Sequence, residues 1–226
     1  MPLTAIFFDA GNTLIFPDLA RTLAPLHRAG LAATRDQLHA AERVAKQRRD
    51  REAAAGNTTL ADQDYWIIFY SALLDALGHP DMELRSALVR EARRSQNWEC
   101  VLPDTRESLL RIKQRFSLGV ISNSDGHIAE LIQRLGLRDC FDAVIDSGMV
   151  GHEKPDVRIF QAAISALGAE AATSMYVGDI YSVDYLGAAA AGMQPMLFDV
   201  CGAYRDTDLP RVESMRELTD RLLATS

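Results

Sequence analysis

The chain has 226 residues, a length that fits one large domain or a core with a sizeable insertion. Hydrophobic residues make up 48% of it and charged residues 24%, which is the ordinary balance of a globular protein. The net charge of −7 argues against nucleic acid as a partner, because binding to phosphate backbones needs a basic surface. No apolar run reaches the length of a membrane span, so no membrane partner is expected.

The start of the chain and its cysteines bear on its location. The first residues, MPLTAIFFDAGN, lack the basic stretch and the small-residue cleavage site of a signal peptide. Three widely spaced cysteines, Cys100, Cys140 and Cys201, favour buried reduced thiols over disulfides or a metal site. These features predict a cytoplasmic protein, and the sequence carries no prediction of its oligomeric state.

In chain order, short buried apolar runs alternate with amphipathic helical patterns. After a first strand at residues 4–8, residues 16–99 show helical patterns and no convincing strand. Within them, residues 62–77 predict a core helix that ends at Gly78, and residues 56–59 predict a break. Further strands are predicted at residues 118–122, 143–145, 174–177 and 195–198. Helices are predicted at residues 105–115, 128–135, 156–167 and 183–191.

This order predicts an α/β fold, in which a parallel sheet with right-handed crossovers is wrapped by helices. A helical segment interrupts the sheet after its first strand. That segment carries the charge run RVAKQRRDRE at residues 43–52, which is typical of a solvated helix face. The alternative is that Arg43, Lys46 or an arginine beside them meets an anionic substrate.

Unusual polar residues collect where the predicted strands end and where a later helix begins. Each alone is explained by a turn, a helix cap or an exposed charge. Ligands of open parallel sheets bind beyond the carboxyl ends of the strands, so the residues together predict a ligand site. They are, in chain order, Asp9, Ser122, Asn123, Lys154, Asp179 and Asp184.

The residue types indicate the chemistry of that site. Three converging aspartates would repel one another, and one would bind a proton, unless a cation is present. Carboxylate oxygens suit Mg²⁺, which binds through one or two carboxylates, waters and the substrate. Lys154 adds a positive charge, while Ser122 and Asn123 add donors beside a phosphoryl oxygen. These groups predict a site for a phosphoryl group, in which Asp9 attacks and forms an aspartyl-phosphate.

Four stretches resemble the motifs of the haloacid dehalogenase superfamily, in the branch with a helical cap after the first strand. They are FFDAGNTL, VISNSD, HEKPD and YVGDIYSVDYLGAAAAGM, in this order, and they fit over nearly the whole chain. The resemblance implies a Rossmann-like core at residues 1–16 and 98–226, with an inserted α-helical cap domain at residues 17–97. It also implies a mobile cap over the site and a small phosphorylated substrate.

The resemblance further implies roles for individual residues. Asp9 would be the nucleophile, and Lys154 would be catalytic and bind phosphate. Mg²⁺ would be held by Asp9, the backbone carbonyl of Gly11 and Asp179, with Asp184 supporting the metal shell. The other phosphate ligands would be Thr13, Ser122 and Asn123.

The sequence departs from the family pattern at Gly11. Phosphatases of the family place a second aspartate there, which protonates the leaving alcohol and activates the attacking water. General acid–base catalysis typically contributes about 10²–10⁴-fold, so hydrolysis of ordinary phosphomonoesters is expected to be weak. Three outcomes remain open: the leaving group needs no proton, as with acyl phosphates; another residue supplies the acid; or the reaction is not phosphoryl transfer. The candidates for a replacement acid are a residue of the cap, His152, Glu153 and Tyr181.

The leading interpretation is a Mg²⁺-dependent phosphatase-type hydrolase. A 2-haloacid dehalogenase acting on a halogenated substrate is the second, because halide leaves without a proton and Asp9 would attack carbon. Against it, family dehalogenases use no metal, whereas Asp179 and Asp184 point to one. The third is a regulatory or binding protein without activity, which Gly11 favours and the otherwise complete set of site residues disfavours.

Overall fold

The computed structural model describes residues 2–56 and 62–224. Contacts between residues divide the chain into two compact units. The core unit comprises Met1–Phe16, Val101–Val200 and Thr207–Ser226. The helical unit comprises Pro17–Cys100 and Cys201–Asp206.

The core unit is built around a six-stranded parallel sheet. The strands of the described residues are β1 (Ala5–Phe8), β2 (Phe16–Pro17), β3 (Trp98–Cys100), β4 (Ser117–Ser122), β5 (Ala143–Asp146), β6 (Ser174–Gly178), β7 (Gln194–Phe198) and β8 (Arg211–Val212). In the large sheet they lie in the order β5-β4-β1-β6-β7-β8, and neighbouring strands are parallel. This is the doubly wound order, which reverses between β1 and β6 and leaves a crevice beyond their carboxyl ends.

Helices connect these strands and fill the insertion. Those of the helical unit are α1 (Leu19–Thr22), α2 (Ala24–Arg28), α3 (Arg35–Ala54), α4 (Asp62–Ala76) and α5 (Met82–Ala92). Those of the core unit are α6 (Thr105–Lys113), α7 (Ile128–Arg134), α8 (Ser147–Val150), α9 (Val157–Leu167), α10 (Leu186–Ala190) and α11 (Met215–Ala224). A π-helical turn, Tyr181–Tyr185, precedes α10.

The central strands are buried along their whole length, as strands covered on both faces are. Phe7 on β1 and Tyr176 on β6 are opposite each other in the register and share one apolar cluster with Phe160 of α9. Gly119 on β4 makes room for Phe7, because a Cβ atom at Gly119 would lie 2.6 Å from Phe7 Cδ1. Because the neighbouring strands are parallel, their carboxyl ends lie at one edge of the sheet.

The predicted α/β fold with a parallel sheet is confirmed, and each predicted strand overlaps an observed one. The prediction of no strand in residues 16–99 is wrong, because β2 and β3 pair with each other at the two ends of that segment. Strands of two or three residues are too short to show a periodicity. The helix predicted at residues 183–191 is divided between the π-helical turn and α10. The break predicted at residues 56–59 lies, after Gly56, outside the described residues.

Residues 201–206, which the sequence assigns to the core, cluster with the helical unit. Hydrogen bonds to α3 are the physical reason: Arg43 Nη1 donates to the carbonyl of Cys201 at 2.8 Å, and Tyr204 Oη donates to Asp50 Oδ2 at 3.0 Å. Lys46, also on α3, is buried and pairs with Glu42 at 2.9 Å. Arg43 and Lys46 therefore make contacts inside the helical unit. The role of this unit as a cap stays a prediction.

None of the three cysteines forms a disulfide, and Cys140 and Cys201 are buried as predicted, but Cys100 is exposed. It belongs to the three-residue strand β3, where the side chains are partly or fully exposed. Among the described residues, no helix has both the length and the apolar character needed to cross a membrane.

Asp146, the last residue of β5, fixes the segment that leaves β4. Its carboxylate accepts hydrogen bonds from the backbone N–H groups of Gly126, Ile128 and Gly148, at 3.0, 3.1 and 2.9 Å. It thereby caps α8 and ties α8 to the loop before α7. Bonds from N–H groups to an ionised carboxylate are stronger than neutral ones, so this side chain orders the loop that follows Ser122.

We predict that Asp146→Ala lowers the free energy of unfolding by about 1–3 kcal/mol, because three N–H groups lose their acceptor. Chemical denaturation monitored by circular dichroism measures the loss. The matched control is Asp208→Ala at an exposed position, which is expected to change stability by less than about 0.5 kcal/mol. Equal stability of the two variants would contradict this account of Asp146.

Candidate active site

Asp9 lies directly after β1, at the point where the strand order reverses. Its backbone N–H donates to the carbonyl of Val177 at 2.8 Å, so it continues the ladder between β1 and β6. The chain then turns back through Asn12, whose φ of 54° lies in the left-handed region that asparagine tolerates. The side chain of Asp9 is thereby held in the crevice, and the residue is only 7% exposed.

Lys154 is the central cation of the site. Its Nζ atom lies 2.5 Å from Asp9 Oδ1, 2.8 Å from Asp184 Oδ1 and 2.8 Å from Tyr176 Oη. Burial alone would lower the pKa of Lys154, but Asp184 and Asp9 outweigh that effect and raise the pKa above its ordinary value. The side chain is therefore an ammonium ion whose three N–H groups all have acceptors.

Asp184 is directed into the site by the π-helical turn after β6. Its N–H donates to the carbonyl of Ile180 at 2.8 Å, and its Oδ2 accepts from the Ile180 N–H at 3.0 Å. The carboxylate packs against the backbone of Gly178, where a Cβ atom would lie 2.5 Å from Asp184 Cγ. Single π-type turns are frequent at functional sites, and this one places a buried carboxylate beside Lys154.

Asp9, Asp179 and Asp184 form one buried cluster, in which a carboxylate oxygen of each lies within 4.8 Å of the others. Burial, and the charges of Asp184 and Asp179, raise the pKa of Asp9 to about 7 against the opposing effect of Lys154. With all groups ionised, three carboxylates and one ammonium carry a net charge of −2. An all-oxygen donor set with this charge fits a hard divalent cation such as Mg²⁺.

The structure brings most of the predicted residues to this place. Thr13 is buried, and its hydroxyl donates to Asp9 Oδ2 at 3.5 Å. Ser122 is buried at the end of β4, and Gly11 forms an isolated bridge with Ile15 in the turn after Asp9. Phosphate binding by Thr13 and Ser122, and metal binding through the Gly11 carbonyl, stay predictions.

Asn123 has a contact that its predicted role did not include. Its amide Nδ2 donates to the carbonyl of Lys154 at 3.0 Å, and its Oδ1 accepts from the Lys154 N–H at 2.7 Å. The two bonds attach the segment before α9 to the end of β4. The side chain of Asn123 thus holds the backbone of Lys154, and phosphate binding by Asn123 stays a prediction.

Sequence reasoning missed two residues of the site, Tyr176 and Gly178. Tyr176 stands inside a buried strand, where an aromatic residue is expected for packing alone. Gly178 ends the same strand, and a glycine next to an aspartate has many explanations. A hydroxyl inside the apolar run of β6 was the available signal for Tyr176.

Fold and site together define a class of protein: a doubly wound α/β protein with a carboxylate–lysine cluster at its switch point. The model of the haloacid dehalogenase-like hydrolases matches residues 3–192. The chain therefore belongs to the haloacid dehalogenase-like hydrolases, and the predicted family membership is confirmed.

Individual relatives agree with this family. The glyceraldehyde 3-phosphate phosphatase of Methanothermobacter thermautotrophicus is 32% identical over 208 residues, which cover 86% of this chain and 85% of that protein. The ribulose-1,5-bisphosphate 5-phosphatase of Halopiger xanaduensis is 31% identical over 204 residues, covering 87% and 84%. The putative HAD-hydrolase YfnB from Bacillus subtilis, solved bound to magnesium, shares the fold with a TM-score of 0.66 at 18% identity, over 98% of this chain and 99% of that one.

We predict that Gly178→Ala weakens Mg²⁺ binding by about tenfold or more, because the new Cβ must displace Asp184. Isothermal titration calorimetry measures the affinity. Gly119→Ala is the matched control, since its Cβ would meet Phe7 at 2.6 Å at a different place in the sheet. Both variants are expected to lose about 1–3 kcal/mol of stability, but only Gly178→Ala should lose affinity. A similar loss in both would mean that general destabilisation is the cause.

Proposed function

We propose that this chain is a Mg²⁺-dependent phosphatase that hydrolyses a small phosphorylated metabolite through an aspartyl-phosphate on Asp9. The observation that carries the proposal is the buried cluster of Asp9, Asp179 and Asp184 around the Lys154 ammonium. Two relatives that are similar over most of the chain are named as phosphatases of glyceraldehyde 3-phosphate and ribulose 1,5-bisphosphate, which supports the substrate class.

In the proposed first step, an oxygen of Asp9 attacks phosphorus, and the bond from phosphorus to the leaving oxygen breaks. The leaving group takes the electron pair of that bond. Lys154 lies beside Asp9 and presents its positive charge to the phosphoryl oxygens, whose negative charge it stabilises. In the second step, water attacks phosphorus, the bond to Asp9 breaks, and phosphate leaves. The carboxylate of Asp9 is thereby regenerated, and the proton of the water passes to solvent.

Mg²⁺ would be held by Asp9, Asp179 and the Gly11 carbonyl, with Asp184 beside them. When bound, it supplies positive charge that stabilises the transferring phosphoryl group. Asp9 accepts no proton in this scheme, because its oxygen becomes bonded to phosphorus. Lys154 and the cation together balance the negative charge that three carboxylates place around the reacting atoms.

The site has no acid at the position from which phosphatases of the family protonate the leaving group. Gly11 has no side chain, so the position two residues after Asp9 offers no acid. Of the alternatives, Tyr181 is half-buried and stacks on Tyr185 with ring centroids 5.4 Å apart. His152 is half-buried and Glu153 is exposed. Their role as replacement acids stays a prediction.

One assay series separates the three interpretations of the site. The purified protein is incubated with a panel of phosphorylated metabolites, with acetyl phosphate and with 2-haloacids, each with and without Mg²⁺. Phosphate release that requires Mg²⁺ supports the proposal. Halide release without metal would replace it with dehalogenation, and no turnover of any compound would favour a regulatory or binding protein.

We predict that Asp9→Asn folds normally but loses turnover by at least about 10³-fold, because an amide cannot form the acyl phosphate. Phosphate release measures the activity, and mass spectrometry of the acid-quenched wild type detects phosphorylated Asp9. Asp208→Asn, at an exposed position, is the control for the same chemical change. An Asp9→Asn variant that keeps most of its activity would rule out the covalent mechanism.

We predict that the wild type hydrolyses acetyl phosphate far faster than alkyl phosphates, because acetate leaves without a proton. Gly11→Asp is expected to raise alkyl phosphatase activity by about 10²-fold or more, since it restores an acid and base. The residue of positive φ in this turn is Asn12 rather than Gly11, so backbone strain from a left-handed φ does not oppose a side chain at position 11.

Gly11→Asn is the matched control, because it adds a side chain of the same size that cannot transfer the proton. Equal gains in both variants would show that filling the space, and not proton transfer, is the cause. Rapid hydrolysis of alkyl phosphates by the wild type would mean that another residue supplies the proton.

A further inference from the structure

Tyr176 places a hydroxyl group where its strand requires none. The residue lies inside β6, is fully buried, and packs edge-to-face against Phe160 with ring centroids 5.1 Å apart. Phenylalanine would fill the same volume. Burying a hydroxyl is unfavourable unless it forms hydrogen bonds. The hydrogen bonds of this oxygen therefore determine whether the hydroxyl stabilises the protein.

The Tyr176 hydroxyl forms hydrogen bonds with charged groups of the cluster. It accepts a hydrogen bond from Lys154 Nζ at 2.8 Å and donates to Asp184 Oδ1 at 3.0 Å, with the carbonyl of Ile121 3.4 Å away. One side chain therefore fixes two charged groups of opposite sign.

The three acceptors of Lys154 differ in what the reaction does to them. Asp9 changes its bonding during the proposed reaction, because its oxygen becomes bonded to phosphorus. Tyr176 and Asp184 undergo no such change. When Asp9 reacts, two of the three hydrogen bonds of the ammonium stay in place, and the third N–H can turn to a phosphoryl oxygen.

We infer that Tyr176 is a positioning residue. It anchors Lys154 and Asp184, so that the ammonium stays in place while the Asp9 oxygen becomes bonded to phosphorus. The inference rests on the proposed function for its catalytic consequence. Its structural consequence, a fixed Asp184 beside the metal site, does not depend on turnover. Groups that orient metal ligands and their neighbours typically change metal affinity or activity by about 10–100-fold when they are removed.

The test is Tyr176→Phe, which removes the hydroxyl and keeps the ring. Mg²⁺ binding to the metal-free protein is measured by calorimetry, and kcat and KM are measured with acetyl phosphate. We expect about tenfold weaker Mg²⁺ binding and a kcat reduced by about tenfold or more, with a smaller change in KM. Tyr70→Phe, at a buried tyrosine of the helical unit, is the matched control and is expected to change neither quantity.

A double-mutant cycle separates positioning from a loss of stability. If Tyr176 acts through Asp184, then Tyr176→Phe changes Mg²⁺ affinity much less in an Asp184→Asn background than in the wild type. Additive effects, or an affinity and kcat equal to those of the wild type, would overturn the inference. A wild type that binds Mg²⁺ but hydrolyses no phosphate would overturn the proposed function, and the binding cycle would still decide the role of Tyr176.

Discussion

The site depends on one buried ammonium ion, that of Lys154, among carboxylates that burial disfavours. Removing charges from water costs several kcal/mol per ion, and close pairing with hydrogen bonds is needed to offset that cost. Lys154 gives this compensation to Asp9 and Asp184 at once. This pairing does not fully offset the cost of burying Asp9, because the pKa of Asp9 is still raised to about 7. The remaining negative charge fits a divalent cation at this edge of the sheet.

Backbone features, rather than more charges, hold this arrangement. Asn123 fixes the backbone of Lys154 by two hydrogen bonds, although the residues are distant in the chain. Gly178 lets Asp184 pack directly on the end of β6, and the π-helical turn returns that carboxylate toward the strand. Asn123 follows β4, whereas Gly178 and the π-helical turn belong to the connection after β6. The parallel order brings them together, because the carboxyl ends of β1, β4 and β6 are neighbours.

Local patterns predicted the strands and the acidic strand ends, because buried runs and an aspartate after them are visible without tertiary structure. They did not predict the hydrogen bonds of Tyr176 or the contact of Asn123 with Lys154, since both depend on distances between segments. The sequence placed residues 201–206 in the core for the same reason: Arg43 and Asp50, which bind that segment, precede it by more than 150 residues. Sequence patterns reflect residues that are close to one another in the chain, whereas these contacts join residues that are far apart in it.

Gly11 can be understood from the electrostatics of the same cluster. A carboxylate two residues after Asp9 would add negative charge near a group whose pKa burial and the neighbouring carboxylates already raise. Glycine adds no charge there, and it has no side chain that could donate a proton. The absence of a proton donor would reduce the rate little when the leaving group departs as a stable anion. It would reduce the rate most when the leaving group is an alcohol. Under the proposed mechanism, the residue at position 11 would therefore affect both the ionisation of Asp9 and the range of phosphorylated compounds on which Asp9 can act.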